Sequence, residues 1–315
     1  MNVEDSCNSR VIRKVGGTTP LLIPSFSSVV SENIGDIRTN LIEYINKTSL
    51  VSAYDLYYDF IDIKDLGCSE IVFIDSGKYE VDSLYDSKNL KEWKKDYYLQ
   101  IIDNLIPTNK YVIVNYDEKV KIEAQIQQAA ELFSKHPIYA SCFLYKPISN
   151  KNFKINTKQL LNNITSIDQF DILGLTEKEL GNSLLERCTN IVRIREELSK
   201  RIEMPIHIYG CLDPLSIISF SICGADIFDG TSWLKYTFHN DIALYFNNHA
   251  LLNQKWSETD NRVRAHSYIT NLIELTNLEV RIKHFNRTHD FESLKLPKNI
   301  VSQIKSLTGA AGIDY

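Results

Sequence analysis

Residues 224–230 read Gly-Ala-Asp-Ile-Phe-Asp-Gly, and the fold turns on how they are taken. The stretch reads as a short apolar strand that brings a carboxylate to its tip. A glycine follows, the residue that lets a chain turn sharply. Asp-Gly is a favoured turn pair in its own right. The surrounding sequence gives the aspartate a wider context. Eight short runs rich in Val, Ile, Tyr and Phe occur at 19–27, 49–56, 70–77, 111–117, 138–147, 170–176, 205–211 and 225–230. Each is near-continuous in hydrophobicity instead of alternating. That is the pattern of strands buried on both faces, as in a parallel sheet.

Helical periodicity fills the gaps. Residues 119–135 place Val120, Ile122, Ile126, Ala129, Ala130 and Phe133 on one face. Residues 177–201 do the same with Leu180, Leu184, Cys188, Ile191, Val192 and Leu198. Residues 213–223 open with Asp213-Pro214, an N-cap and first-turn pair, and 37–46 and 91–106 read as two more helices. Strands alternating with helices predict a (β/α)8 TIM barrel over 19–245. A doubly wound sheet is the main competitor. It is weakened by the absence of G-x-G-x-x-G and G-x-x-x-x-G-K-[ST]. Residues 1–18 read as an N-terminal arm, basic at Arg10, Arg13 and Lys14 and either mobile or disordered. Residues 246–315 read as a small helical C-terminal appendage packed on the barrel.

The 315 residues suffice for one large α/β domain, and 43% hydrophobic with 24% charged residues is ordinary for a globular protein. No apolar run approaches the roughly 20 residues that span a bilayer. The N-terminal MNVEDSCNSR is polar and acidic, unlike a secretory signal. Six scattered cysteines without a C-x-x-C pair read as reduced thiols. The expected location is cytoplasmic, with no membrane partner. The net charge of −5 speaks against a large nucleic-acid footprint and leaves room for a local basic patch.

In a barrel of this kind the catalytic face lies at the C-terminal strand ends. There the runs end in Asp75-Ser76-Gly77, Asp117, Gly174-Leu175-Thr176, Tyr209-Gly210 and Asp229-Gly230. Each aspartate alone could cap a helix or close a turn. Three at strand tips would converge on one mouth. Paired carboxylates suit glycosidic chemistry: one attacks or stabilises an anomeric carbon while the other moves a proton.

At these residues the chain resembles the tRNA-guanine transglycosylase superfamily, (β/α)8 enzymes that exchange guanine for a 7-deazaguanine. Asp75-Ser76-Gly77-Lys78-Tyr79 is similar to the family's D-S-G-G-[FY]. Tyr116-Asp117-Glu118 resembles its F-D-E, and Leu173-Gly174-Leu175 its glycine-leucine turn. His207-Ile208-Tyr209-Gly210 resembles its strand ending in a glycine loop, and Gly224–Asp229 its G-[IV]-D-[ML]-F-D. The resemblance implies that Asp229 is the nucleophile and Asp75 the general acid/base. It implies that Asp117 accepts hydrogen bonds from the base edge. Gly174 and Leu175 would offer backbone groups to the 7-substituent, and Tyr79 and Tyr209 would sandwich the ring. Ser76, Gly77 and Gly210 complete the implied base site. No metal or other cofactor is implied.

The departures shape the expectation of substrate. The family's tRNA enzymes carry a C-x-C-x-x-C plus His zinc site after the barrel. Here the last cysteine is Cys223, so that zinc subdomain is absent. Their P-T-R-N-x-R segment is replaced by Thr231-Ser232-Trp233-Leu234-Lys235-Tyr236, and the second glycine of D-S-G-G by Lys78. The chain therefore looks most like the DNA-modifying 7-deazaguanine transglycosylase (DpdA-type) branch. That branch implies DNA and preQ0 as partners, with an accessory ATPase or helicase-like protein and a homodimer as open options. A divergent tRNA enzyme and a non-catalytic nucleic-acid-binding paralogue are the alternatives. Candidate nucleic-acid contacts are Lys78, Lys94, Lys95, Lys235, Arg262, Arg264 and Arg287, with Lys91, Arg281 and Lys283 beside them. Trp93 and Tyr97 interleave with the 91–95 lysines. That mixture suits either a single-strand groove or a solvated helix face with one buried Trp.

Overall fold

Each of the eight apolar runs contains a barrel strand. The structure, a computed structural model, describes residues 1–82, 91–107, 109–148 and 153–315. The strands are β1 (Leu21–Phe26), β2 (Thr48–Ser52), β3 (Ile71–Asp75), β4 (Lys110–Val114), β5 (Ala140–Leu144), β6 (Ile172–Thr176), β7 (Ile206–Tyr209) and β8 (Ile227–Gly230). They pair in sequence order, all parallel, and β8 closes onto β1 with Leu21 opposite Ile227 and Ile23 opposite Asp229. This is a TIM-type (β/α)8 barrel. The strands are shorter than the runs. β2 stops at Ser52 because its hydroxyl accepts from the Tyr54 amide at 3.1 Å and caps the next helix. β4 stops at Val114, so Asp117 sits three residues beyond the strand and not at its end.

Alternation along each strand sorts residues between barrel interior and helical layer. Leu21, Ile23, Leu50, Ile71, Phe73, Val112, Cys142, Ile172 and Ile227 fill the interior. Their neighbours Leu22, Val51, Val72, Ile74, Ile113, Leu173 and Phe228 face the helices. The same parity directs Ser25, Asp75, His207, Tyr209 and Asp229 inward.

The flanking helices are α1 (Val3–Ser6), α2 (Ile34–Asn40), α3 (Ala53–Tyr57), α4 (Lys78–Asp82), α5 (Lys95–Asp103), α6 (Ile122–Lys135), α7 (Thr157–Asn162), α8 (Ile164–Ile167), α9 (Leu184–Ser199) and α10 (Pro214–Ile222). The Asp213 side chain accepts from the Ser216 amide at 3.0 Å and caps α10, with Pro214 in its first turn. After β8 come a hairpin, β9 (Thr237–His239) and β10 (Ile242–Leu244), then α11 (Phe246–Leu252), α12 (Asp260–Thr288) and α13 (Lys298–Ala310).

Two boundaries differ from the sequence expectation. The 29-residue α12 packs on β1 and touches α10 on one side and the turn at 42–44 on the other, the place of the barrel's eighth helix. The helical tail thus completes the barrel instead of decorating it. Residues 1–18 are not a free arm. Val11 and Thr18 bridge, and Ile12 and Val15 join the interior cluster, stoppering the N-terminal end. Arg10 is buried, donating to Asp226 at 2.8 Å and Glu203 at 2.9 Å. Arg13 and Lys14 lie 3.2 and 3.5 Å from Asp171. These three cations are bound into the barrel floor, so none of them serves as a mobile basic arm.

Candidate active site at the C-terminal mouth

Asp229 is two residues on from the inward-facing Ile227 and therefore points inward near the top of β8. It is only 5% exposed, and both carboxylate oxygens are engaged. The Ser25 hydroxyl donates to Oδ2 at 2.6 Å from neighbouring β1. Nε2 of His207, from neighbouring β7, lies 3.1 Å from Oδ1. The His207 ring is wholly buried, edge-on to Phe73 and stacked on Tyr209 at 3.9 Å. Its Nδ1 has no partner among the described residues. Asp229 is thus oriented by Ser25 and His207.

Asp75 ends β3, on the other side of the mouth. Burial pushes its carboxyl up to about 7, the negative charge of Asp229 adds to that, and Asp117 adds less. The amides of Ser76 and Gly77 oppose the rise by donating to it. The 75–77 turn is held from outside. Gly77 has φ of +83°, and a Cβ there would lie 2.8 Å from the Trp93 ring. Trp93 Nε1 donates to the Ser76 carbonyl at 3.0 Å. Trp93 is buried among Tyr54, Tyr57 and Tyr97, so of the two sequence readings of 91–97 the buried-Trp one holds.

Asp117 lies beside the Lys146 ammonium at 3.5 Å. Lys146 also meets Glu179 at 2.7 Å and Thr176 Oγ1 at 3.2 Å. The Gln125 amide clamps the Lys146 backbone, donating to its carbonyl at 2.7 Å and accepting from its amide at 3.0 Å. Lys146 is buried, yet its ammonium is held above its ordinary pKa. Burial opposes the charge, and Asp117 and Glu179 outweigh it.

Several expected base contacts sit differently. Tyr209 is buried in the barrel interior with its hydroxyl 3.3 Å from Cys142 Sγ, beneath the mouth and not at its rim. Gly174 makes room for that ring, since a Cβ would lie 2.8 Å from it, and its carbonyl accepts from the Tyr145 amide. Leu175 faces the helical layer. Gly230 does not open space beside Asp229: a Cβ there would meet Leu212 at 3.2 Å, so the glycine admits the 210–212 loop. Gly210, at φ +76°, faces open space, Ser76 is buried, and Tyr79 is 44% exposed on α4.

The basic candidates divide. Lys78 lies 5.8 Å from the Tyr116 ring, Lys94 pairs with Glu92 and Lys95 with Glu118. Arg281 is locked bidentate on Asp241, and Lys283 pairs with Glu279. Lys235, Arg262 and Arg287 are exposed. α12 runs from Tyr268, beside Trp233 at the mouth, to Glu279, whose carboxylate accepts from the Leu22 amide low on β1. Arg287 therefore lies towards the floor, about 37 Å along the helix from Arg262 at 1.5 Å per residue, and cannot share the mouth.

Reading strand tips alone missed a second carboxylate pair. Glu80, 2% exposed, accepts from Ser27 at 2.7 Å and Ser52 at 2.8 Å. Burial, then Asp55 and Asp75, push it up to about 8. Asp55 accepts from the Ser28 amide at 3.0 Å, and burial pushes it up to about 6. The inward parity of β1 and β7 carried the signal for Ser25 and His207. Nothing in the local sequence marked Glu80 or Lys146.

Among the described residues no cluster of three or more His, Cys, Asp or Glu is arranged to hold a metal, and all six cysteines are unpaired. No helix among them is long and apolar enough to cross a membrane. A cavity of about 260 Å³ lies elsewhere, on the outer face between Tyr44, Leu22 and Leu275 of α12. No protein-family model and no curated protein matches the chain.

Proposed function

We propose that the chain is a glycosyltransferase of the pentosyl-transferring kind, a base-exchange transglycosylase that replaces guanine in DNA with a 7-deazaguanine such as preQ0. The observation that carries it is a pair of inward carboxylates on opposite sides of one barrel mouth, held by different surroundings. Asp229 is fixed by Ser25 and His207, while Asp75 is poised near neutrality. Pairs whose surroundings push their roles apart are how one site runs acid and base chemistry.

In the first half-reaction an Asp229 oxygen bonds to the anomeric carbon as the bond to the guanine nitrogen breaks. Protonated Asp75 gives its proton to the departing base. In the second, Asp75 takes the ring N–H proton of the incoming deazaguanine. That nitrogen bonds to the anomeric carbon and Asp229 is released. Two displacements retain configuration, and protons and electrons balance without an oxidant or reductant. Asp117, oriented by Lys146, accepts from the N–H groups of the base edge. Tyr79 covers its exposed face. The target nucleotide leaves its stack to enter.

The test supplies labelled preQ0 or guanine with DNA and, separately, tRNA. Label in DNA is expected. Label in tRNA alone would move the substrate to tRNA, and label in neither would point to a non-catalytic nucleic-acid-binding paralogue.

A further inference from the structure

The mouth is acidic: Asp75, Asp117, Asp229, Glu80, Asp55 and Glu179 surround it, and Lys146 is the cation seated among them. A polyanion entering such a site must be anchored at its rim. The segment after β8 carries the features for that. Trp233 donates to the Ser25 carbonyl at 3.1 Å, and Ser25 in turn holds Asp229. Outward from Trp233, the rings run to Tyr268 at 5.6 Å and Phe246 at 6.2 Å, where Arg264 lies 4.8 Å over the ring. In the adjoining chain, rings that ordinarily pack inside are left in solvent: Tyr245, next to Phe246, is 75% exposed and Trp256, between α11 and α12, is 67% exposed. Arg262 and Arg264 enter no ion pair among the described residues. Of the acids next to them in sequence, Glu258 pairs with Lys255 and Asp260 lies in the first turn of α12.

We infer that Tyr245, Trp256, Arg262 and Arg264 form a track for a single strand of DNA, leading from the rim to Asp229. The inference rests on the DNA reading of the mouth. Exposed aromatic faces stack on unpaired bases, which offer a face whatever their sequence, and the arginines neutralise the phosphates between them. A duplex keeps its bases stacked on each other and offers no faces to these rings.

The structure contains its own probe. Trp93 and Trp233 are buried and Trp256 is exposed, so quenching of tryptophan emission by a ligand reports Trp256. Titrating the full chain with an oligo-dT of about 20 nucleotides should quench emission, and Trp256→Phe should abolish most of that change. Trp256→Ala with Tyr245→Ala should weaken binding at least about 10-fold. Arg262→Ala with Arg264→Ala should lower the salt slope of log K by about 1.4. Unchanged affinity in the aromatic and arginine variants overturns the track. So does tighter binding of oligo-U than of oligo-dT. Conversion of a dimer to a monomer by Trp256→Ala, with DNA affinity unmoved, overturns it as well and makes the patch a self-association face. Quenching without base exchange would keep the track and sink the transglycosylase reading. Base exchange with undiminished binding in the variants would do the reverse.

Discussion

Asp226 and Asp229 are three residues apart, both buried, and sit at opposite ends of the same barrel. Asp226, just before β8, is saturated with positive charge. Arg10 donates to one oxygen at 2.8 Å, Arg195 ion-pairs with the other, and the Ile206 amide adds a third bond at 2.8 Å. Asp171 repeats the pattern on the floor with Arg13, Lys14 and the Ser141 amide and hydroxyl. Asp229 meets Ser25 and His207 and no guanidinium or ammonium group, and Asp75 across the mouth has two backbone amides. The difference teaches how to read a buried carboxylate. Paired with guanidinium it is a structural rivet whose reactivity is spent. Left without such a cation it keeps its chemistry: Asp75, buried near other carboxylates, is costly to ionise and therefore useful for moving protons. Even the rivet has a cost, since burial lowers the Arg195 guanidinium to about 10.

The sharpest way to break this contrast is to neutralise one aspartate at each end. Asp229→Asn keeps one acceptor oxygen and puts an NH2 in place of the other, so one of the two donors loses its acceptor. It should lower base exchange at least about 10⁴-fold and leave no covalent adduct on denaturing gels, with stability lowered by only about 1–2 kcal/mol. Full exchange by that variant would remove Asp229 from the mechanism. Asp226→Ala should do the opposite. It strands two buried guanidinium groups and should cost about 3–5 kcal/mol in urea unfolding. A loss below about 1 kcal/mol would mean the floor network is not what holds the N-terminal segment on the barrel.

A smaller effect sharpens the contrast through pH. The folded carboxyls of Asp55, Asp75 and Glu80 rise to about 6, 7 and 8, above the roughly 4 of an unfolded chain. A raised carboxyl stabilises the fold while protonated, and that contribution is lost as pH climbs from about 4 to about 8. Melting temperature should therefore fall over that range. Glu80→Gln, which like a protonated carboxyl accepts from one serine and donates to the other, should flatten the fall and gain on the order of 1–2 kcal/mol at pH 8 and little at pH 5. An equal gain at both pH values would show that Glu80 is not held protonated. The smallest effect concerns the turn behind Asp75. Trp93→Phe removes the bond to the Ser76 carbonyl and should cost about 1 kcal/mol of stability. The basic limb of the rate profile should shift with it, because Asp75 loses the support of its turn; an unmoved profile would make Trp93 merely structural.

Much of this protein was legible in one dimension. Continuous apolar runs announced parallel strands because a strand covered on both faces has no polar side to show. The Asp213-Pro214 pair announced α10 by satisfying its free amides. Period-two alternation, carried through, also puts Ser25 and His207 on the same side as Asp229. Less was legible wherever a residue's role came from a distant neighbour. Arg10 looked like part of a loose arm until Asp226, more than two hundred residues on, was beside it. Gly230 read as a turn residue, and the structure shows that it also admits Leu212. Tyr209 was expected to sandwich the base with Tyr79, but the gap at Gly174 takes its ring into the interior.

The sequence by itself indicated eight buried strands alternating with helices and placed Asp75 and Asp229 at strand ends. These follow from backbone geometry and hydrophobic period, which are local. Only the tertiary structure decided which carboxylates are neutralised and which are not. It closed the floor with residues 1–18, gave the eighth-helix place to α12 and left Tyr245 and Trp256 in solvent. Those outcomes depend on which charges and surfaces meet across long separations, and burial sets their energies only once the chain has closed.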